Sequence, residues 1–156
     1  MNLSNRASKD LGSILDAFSN ASEAASKCSA LIHPLYQYSE ELEQGSTPKA
    51  VKQLIKLIRA EFETYKAEIN KYWNSADRPR ELFEKADSLQ EIEFELGFYI
   101  KIFMNCDWRP IGEGGPSIGI RILERLANHL SESITLLHIE AHRLNQSEKL
   151  ATSKAP

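Results

Sequence analysis

Apolar residues recur every three or four positions through most of the chain, the period that puts side chains on one face of an α-helix. Leu11, Ile14, Leu15, Phe18, Ala21, Ala25, Cys28, Leu31 and Ile32 form one such stripe and predict a first helix over residues 7 to 32. Pro34 has no amide proton and steers His33 from helical angles, so that helix ends or bends there, with a short helical turn over Tyr36 to Leu42. Gly45-Ser-Thr-Pro48 marks a boundary, where Thr47 is suited to cap the next helix and Pro48 to open it. Val51, Leu54, Ile55, Ile58, Phe62, Tyr65, Ile69 and Tyr72 then define a long helix through Trp73.

Asn74 to Pro79 ends that element, and a short helix carrying Leu82, Phe83 and Ala86 follows. Ser88-Leu-Gln-Glu91 has capping-box spacing, which predicts that a further helix starts at Ser88. Its apolar residues Ile92, Phe94, Leu96, Phe98, Tyr99, Ile100, Phe103 and Met104 cover more than one face, so the expectation is a central helix sandwiched between neighbours. After a Gly/Pro loop, Ser117 is placed to cap a last segment striped with Ile120, Leu123, Leu126, Ala127, Leu130, Ile134, Leu137, Ala141 and Leu144. Ser131-Glu-Ser133 is a candidate break in it. No alternating run argues for a sheet, so the fold class is all-α, as one domain over residues 1–146 and a flexible polar tail over 147–156.

Composition narrows the function classes. Hydrophobic residues at 42% and charged residues at 26% are ordinary for a folding chain and argue against disorder. Apolar runs fall far short of the ~20 residues that cross a bilayer, and the first ten residues lack the apolar core of a signal peptide, so a cytoplasmic protein is expected. Lys+Arg 19 against Asp+Glu 22, with no basic block, gives no field for nucleic acid. Cys28 and Cys106 have no Cys-x-x-Cys spacing and read as two reduced, packed thiols.

Three local patterns bear on chemistry. His138 and His142 stand one helical turn apart, close enough to share a divalent ion. Glu140 follows the first histidine by two positions instead of one, so this is not the zinc-protease motif, and a third ligand from Glu91, Glu95, Asp107 or His33 requires an assumed fold. Two ordinary histidines near a helix C-terminus, and no metal, is the favoured reading. Gly112-Glu-Gly-Gly115 is glycine-rich before a helix, but it follows no strand, lacks the phosphate-loop spacing and carries the repelling carboxylate of Glu113. Asp107-Trp-Arg-Pro110 joins an aromatic, a guanidinium and a rigid turn, residue types that concentrate binding energy, which nominates Trp108 and Arg109 for protein contact. A Trp108 packed beside Pro110 would instead plug the end of the core, and the sequence leaves both open. No nucleophile and base share a local signature, so no enzyme is expected.

Glu95-Leu-Gly-Phe-Tyr-Ile-Lys-Ile-Phe-Met-Asn-Cys106, with Gly115-Pro-Ser-Ile118 and Arg121-Ile-Leu123, resembles the phycobiliproteins, particularly phycocyanin and allophycocyanin chains. The resemblance implies a globin-like, phycocyanin-like helical fold, with Glu95, Tyr99 and Lys101 on the helix that faces a bilin. It breaks at the chemistry of attachment. Where that family has the thioether cysteine this chain has Ile92, and where it has the propionate-binding arginine this chain has Phe94. Any bilin would therefore be noncovalent.

Two functional expectations follow, beside a third in which His138 and His142 serve a metal-dependent or small-ligand protein. One is a phycobiliprotein-like protein without covalent bilin that acts through protein–protein contact, with phycobilisome components at the cytoplasmic face of the thylakoid or with itself. The alternative is an antiparallel helical bundle that serves as an adaptor or regulator unrelated to photosynthesis.

Overall fold

The computed structural model describes residues 3–153, and side chains over residues 11–151. Among the described residues there are five α-helices: α1 (Leu3–Ile32), α2 (Ser39–Glu43), α3 (Lys49–Trp73), α4 (Phe83–Asn105) and α5 (Gly115–Ser153). The four long ones form a bundle, and no strand occurs among the described residues. A 3-10 turn over His33–Tyr38 leads into α2, as expected from Pro34, and Arg80–Leu82 and Arg109–Ile111 are two further 3-10 turns.

Polar contacts along the edges give the helix directions. Between α1 and α5, Ser22 meets Thr135 at 3.1 Å, Ser26 meets Ser131 at 3.0 Å, Ser29 bonds Asn128, and His33 meets Glu124 at 2.9 Å. Each step up α1 is matched by an equal step down α5, so the two are antiparallel and in constant register. Thr135 donates its proton back to the Ser131 carbonyl at 2.8 Å, which makes Ser22 the donor to Thr135. Behind this edge Ala21, Ala24, Ala25 and Cys28 of α1 and Ala127 of α5 are buried, and side chains this small let helix axes approach closely. The α1/α3 pair is also antiparallel. Cys28 donates to the Ile58 carbonyl at 3.4 Å, and Phe18 packs on Tyr72 with ring centroids 5.4 Å apart. Tyr65 meets Glu93 across α3/α4, and Lys85 meets Glu140 across α4/α5. The result is an up-down-up-down square in which α1 and α4 sit on opposite corners.

Several boundaries differ from the sequence reading for identifiable reasons. Ser88 does not begin a helix: α4 runs unbroken from Phe83, and the Ser88 hydroxyl donates to the Glu84 carbonyl at 3.0 Å inside it. The expected short helix before it is the first turn of α4. Thr47 does not cap α3, because Pro48 sits at the cap position with no side-chain bond. Ser117 lies within α5 and donates to Ser39 at 3.2 Å, while Glu43 of α2 accepts the Gly114 amide proton at 2.7 Å. A carboxylate from another element thereby complements the positive end of α5. Ser131-Glu-Ser133 does not interrupt α5, since Ser131 and Thr135 spend their polar groups within the helix and on α1. That helix also continues past Ser147 to Ser153.

Trp108 is 8% exposed and closes the end of the core, with its ring 5.2 Å from that of Phe103 and over Gly115 and Gly119. A Cβ at Gly119 would fall 2.5 Å from the indole, whereas one at Gly12 of α1 meets nothing within 4 Å. Both glycines are helical, so each alanine substitution gains about 1 kcal/mol of intrinsic helix preference. Gly12→Ala should therefore raise stability by about that amount. At Gly119→Ala the displaced indole should cost about 1–3 kcal/mol, leaving a net loss. Chemical denaturation of the two variants measures the opposite signs.

Candidate functional site

Helix α4 was expected to be a buried central rod, and its outer face overturns that expectation. Ile92, Leu96, Ile100 and Phe103 are buried, as are Ala86 and Leu89 before them, on one stripe that faces the bundle. Most of the remaining apolar residues face solvent: Phe94 is 76% exposed, Phe98 52%, Met104 41% and Ile102 39%, while Tyr99 is half-buried against the core. The square arrangement is the physical reason, because a corner helix has two neighbours and cannot bury a third face. Fully burying a phenylalanine is worth roughly 1.5–3 kcal/mol, so two left in water on adjacent turns are a feature to be explained.

Beside these two rings runs a groove of about 580 Å³ between α3 and α4, floored by Phe62 and Gly97 and rimmed by Arg59, Lys66 and Lys101. The aromatic side chains of α3 hold α4 away here. A Cβ at Gly97 would lie 3.2 Å from the Phe62 ring, so glycine is what lets the ring lie against α4. Lys66 stands 5.1 Å over the Phe62 ring and pairs with Glu63 at 3.0 Å. At the groove wall the Tyr65 hydroxyl donates to Glu93 at 2.9 Å. Burial raises the Glu93 carboxyl above its ordinary value, partly offset by the Tyr65 hydrogen bond and by Lys66. The Tyr65 phenol is raised too, by burial first and by the carboxylate second.

The residues nominated from sequence do not come together at one place. Lys101 lines the groove, while Glu95 and Tyr99 lie on the other flank of α4, away from α3. Arg109 forms a two-pronged pair with Asp107, at 3.0 and 2.7 Å, over the backbone of Gly45. That pair holds the Asp107 carboxyl down at about 2. Trp108 is buried next to this pair, and its indole nitrogen meets no hydrogen-bond partner among the described residues. His138 and His142 are neighbours, with ring centroids 5.3 Å apart, and burial followed by the His142 charge lowers the His138 pKa. Among the described residues no group of three side chains is arranged to hold a metal ion. Cys28 is buried and raised to about 12 by desolvation and by Glu61, which leaves it a protonated packing residue. In the sequence Phe62 and Tyr65 read only as stripe positions of a long helix, Gly97 and the Tyr65–Glu93 bond carry no local signal, and the apolar pattern at Phe94 and Phe98 points to the core.

The Glu93 shift has a definite sign. Its folded pKa is raised, so the folded state binds this proton more tightly than the unfolded chain does. Its contribution to stability is fully present below the unfolded pKa and is lost as pH rises through the folded value. Glu93→Gln keeps an oxygen for the Tyr65 proton and removes the charge. The variant should be more stable than wild type at pH 7, and the advantage should vanish on acidification below about pH 4, near the unfolded glutamate pKa. Denaturation midpoints across that range measure it.

Comparison with family models, with curated proteins and with solved structures returns no match.

Proposed function

We propose that this chain is a helical-bundle adaptor, a protein that acts by binding other polypeptides through the outer face of α4 and the adjoining groove with α3. The carrying observation is that Phe94 and Phe98 stand in water on adjacent turns of α4, beside a groove already shaped by Gly97 and Phe62. Aromatic residues exposed next to a groove lined by charges of both signs, Arg59, Lys66 and Lys101 with Glu63 and Glu93, are the composition of contact surfaces, where a few rings provide most of the binding energy. No helix among the described residues is long and apolar enough to cross a membrane, so a bilayer-spanning role for these phenylalanines has no support.

A phycobilisome role rests on the sequence resemblance alone. The separation of Glu95 and Tyr99 from Lys101 around α4 favours the adaptor over a pigment pocket.

Phe94→Ser combined with Phe98→Ser tests the reading. Because both rings are exposed, unfolding free energy should stay within about 0.5 kcal/mol per site of wild type. In-cell chemical cross-linking should then lose the associations that wild type makes. Associations that persist unchanged in the doubly substituted chain would contradict the reading.

A further inference from the structure

Along the middle of the outer face of α4, with further exposed positions such as Gln90, Glu95 and Ile102 on the flanks, run Asp87, Glu91, Phe94, Phe98, Lys101 and Asn105, all six exposed. Their spacing is four, three, four, three, four, the interval of a coiled-coil seam. The seam is also symmetric about Leu96. Phe94 and Phe98 lie two residues to either side, Glu91 and Lys101 five, Asp87 and Asn105 nine. The chemistry is complementary across that centre: aromatic with aromatic, acid with base, carboxylate with amide.

We infer that the occupant of this face is a second copy of the same chain, with the two α4 helices antiparallel about a two-fold axis that passes Leu96. This rests on the docking role given above for the outer face of α4. An isologous interface needs each surface to match itself, and the symmetry of the seam provides that match. In this register Phe94 packs against Phe98 of the second copy, at the centre and in duplicate. Glu91 meets Lys101 of the second copy at both ends, outside the aromatic layer, and Asp87 meets Asn105 beyond it. Among the described residues neither Glu91 nor Lys101 forms an ion pair within its own chain, so both are free for this contact. A parallel pairing would instead set Glu91 against Glu91 and Lys101 against Lys101, which like-charge repulsion disfavours. Burying the aromatic layer provides the attraction, and the charges set direction and register.

Sedimentation equilibrium with charge-reversed variants tests the inference. Wild type should show a monomer–dimer equilibrium. Glu91→Lys and Lys101→Glu should each weaken it by about tenfold or more, because every reversal appears twice in a symmetric dimer. The double variant, Glu91→Lys with Lys101→Glu, restores opposite charges and should return the dissociation constant to within about threefold of wild type. Both sites are exposed, so circular dichroism should be unchanged throughout. A wild type that stays monomeric, or a dimer indifferent to these reversals, overturns the inference. If wild type is monomeric and the Phe94→Ser/Phe98→Ser chain still loses a different protein partner, the adaptor reading stands and self-pairing falls. If no partner is lost either, both fall.

Discussion

The unequal width of the four helix seams is the constraint from which the rest of the molecule follows. Alanines, serines and Cys28 on α1 let α3 and α5 close against it, and the matched Ser/Thr/Asn contacts fix α1 and α5 in one register. Between α3 and α4 the side chains are large: Phe62 and Tyr65 stand in the gap, and only Gly97 gives the first of them room. Close packing on one diagonal half and aromatic spacers on the other leave α4 at an open corner. The groove is a consequence of that arrangement and required no separate construction.

Electrostatics reinforce the same geometry. The Tyr65–Glu93 hydrogen bond ties α3 to α4 across their widest seam, at the cost of partly desolvating a carboxylate. At one end of the bundle Glu43 binds the amide at the start of α5, and the Asp107–Arg109 pair stiffens the loop that carries Trp108 into the core. These contacts hold the termini of α4 and α5 in place, so the outer face of α4 is presented by a braced helix. A rigid apolar surface loses little conformational entropy when it is covered, which favours recognition there.

How much of this was readable in advance depended on how local the deciding physics was. The stripes of α1, α3 and α5 were legible because an amphipathic pattern is written in consecutive residues. So was the bend at Pro34, which acts on its own backbone. Ser88, Thr47 and Ser117 misled because each satisfies capping chemistry locally, while the actual ends are set by Phe83, Pro48 and the distant Glu43. Phe94 and Phe98 misled for a deeper reason. A helix apolar on two faces is consistent with burial in its own chain or with an unfilled external contact, and only the count of neighbours distinguishes them. The Gly97–Phe62 contact joins residues distant in sequence and carries no local signal.

The whole arrangement therefore requires that α4 turn its two phenylalanines outward instead of into the core. Hydroxyl-radical footprinting of dilute monomer, read residue by residue, tests it most directly. Heavy oxidation is expected at Phe94 and Phe98, with Phe18 and Phe103 protected in the same molecules. Protection of Phe94 equal to that of Phe18 in the monomer would contradict it and return α4 to the centre of the fold.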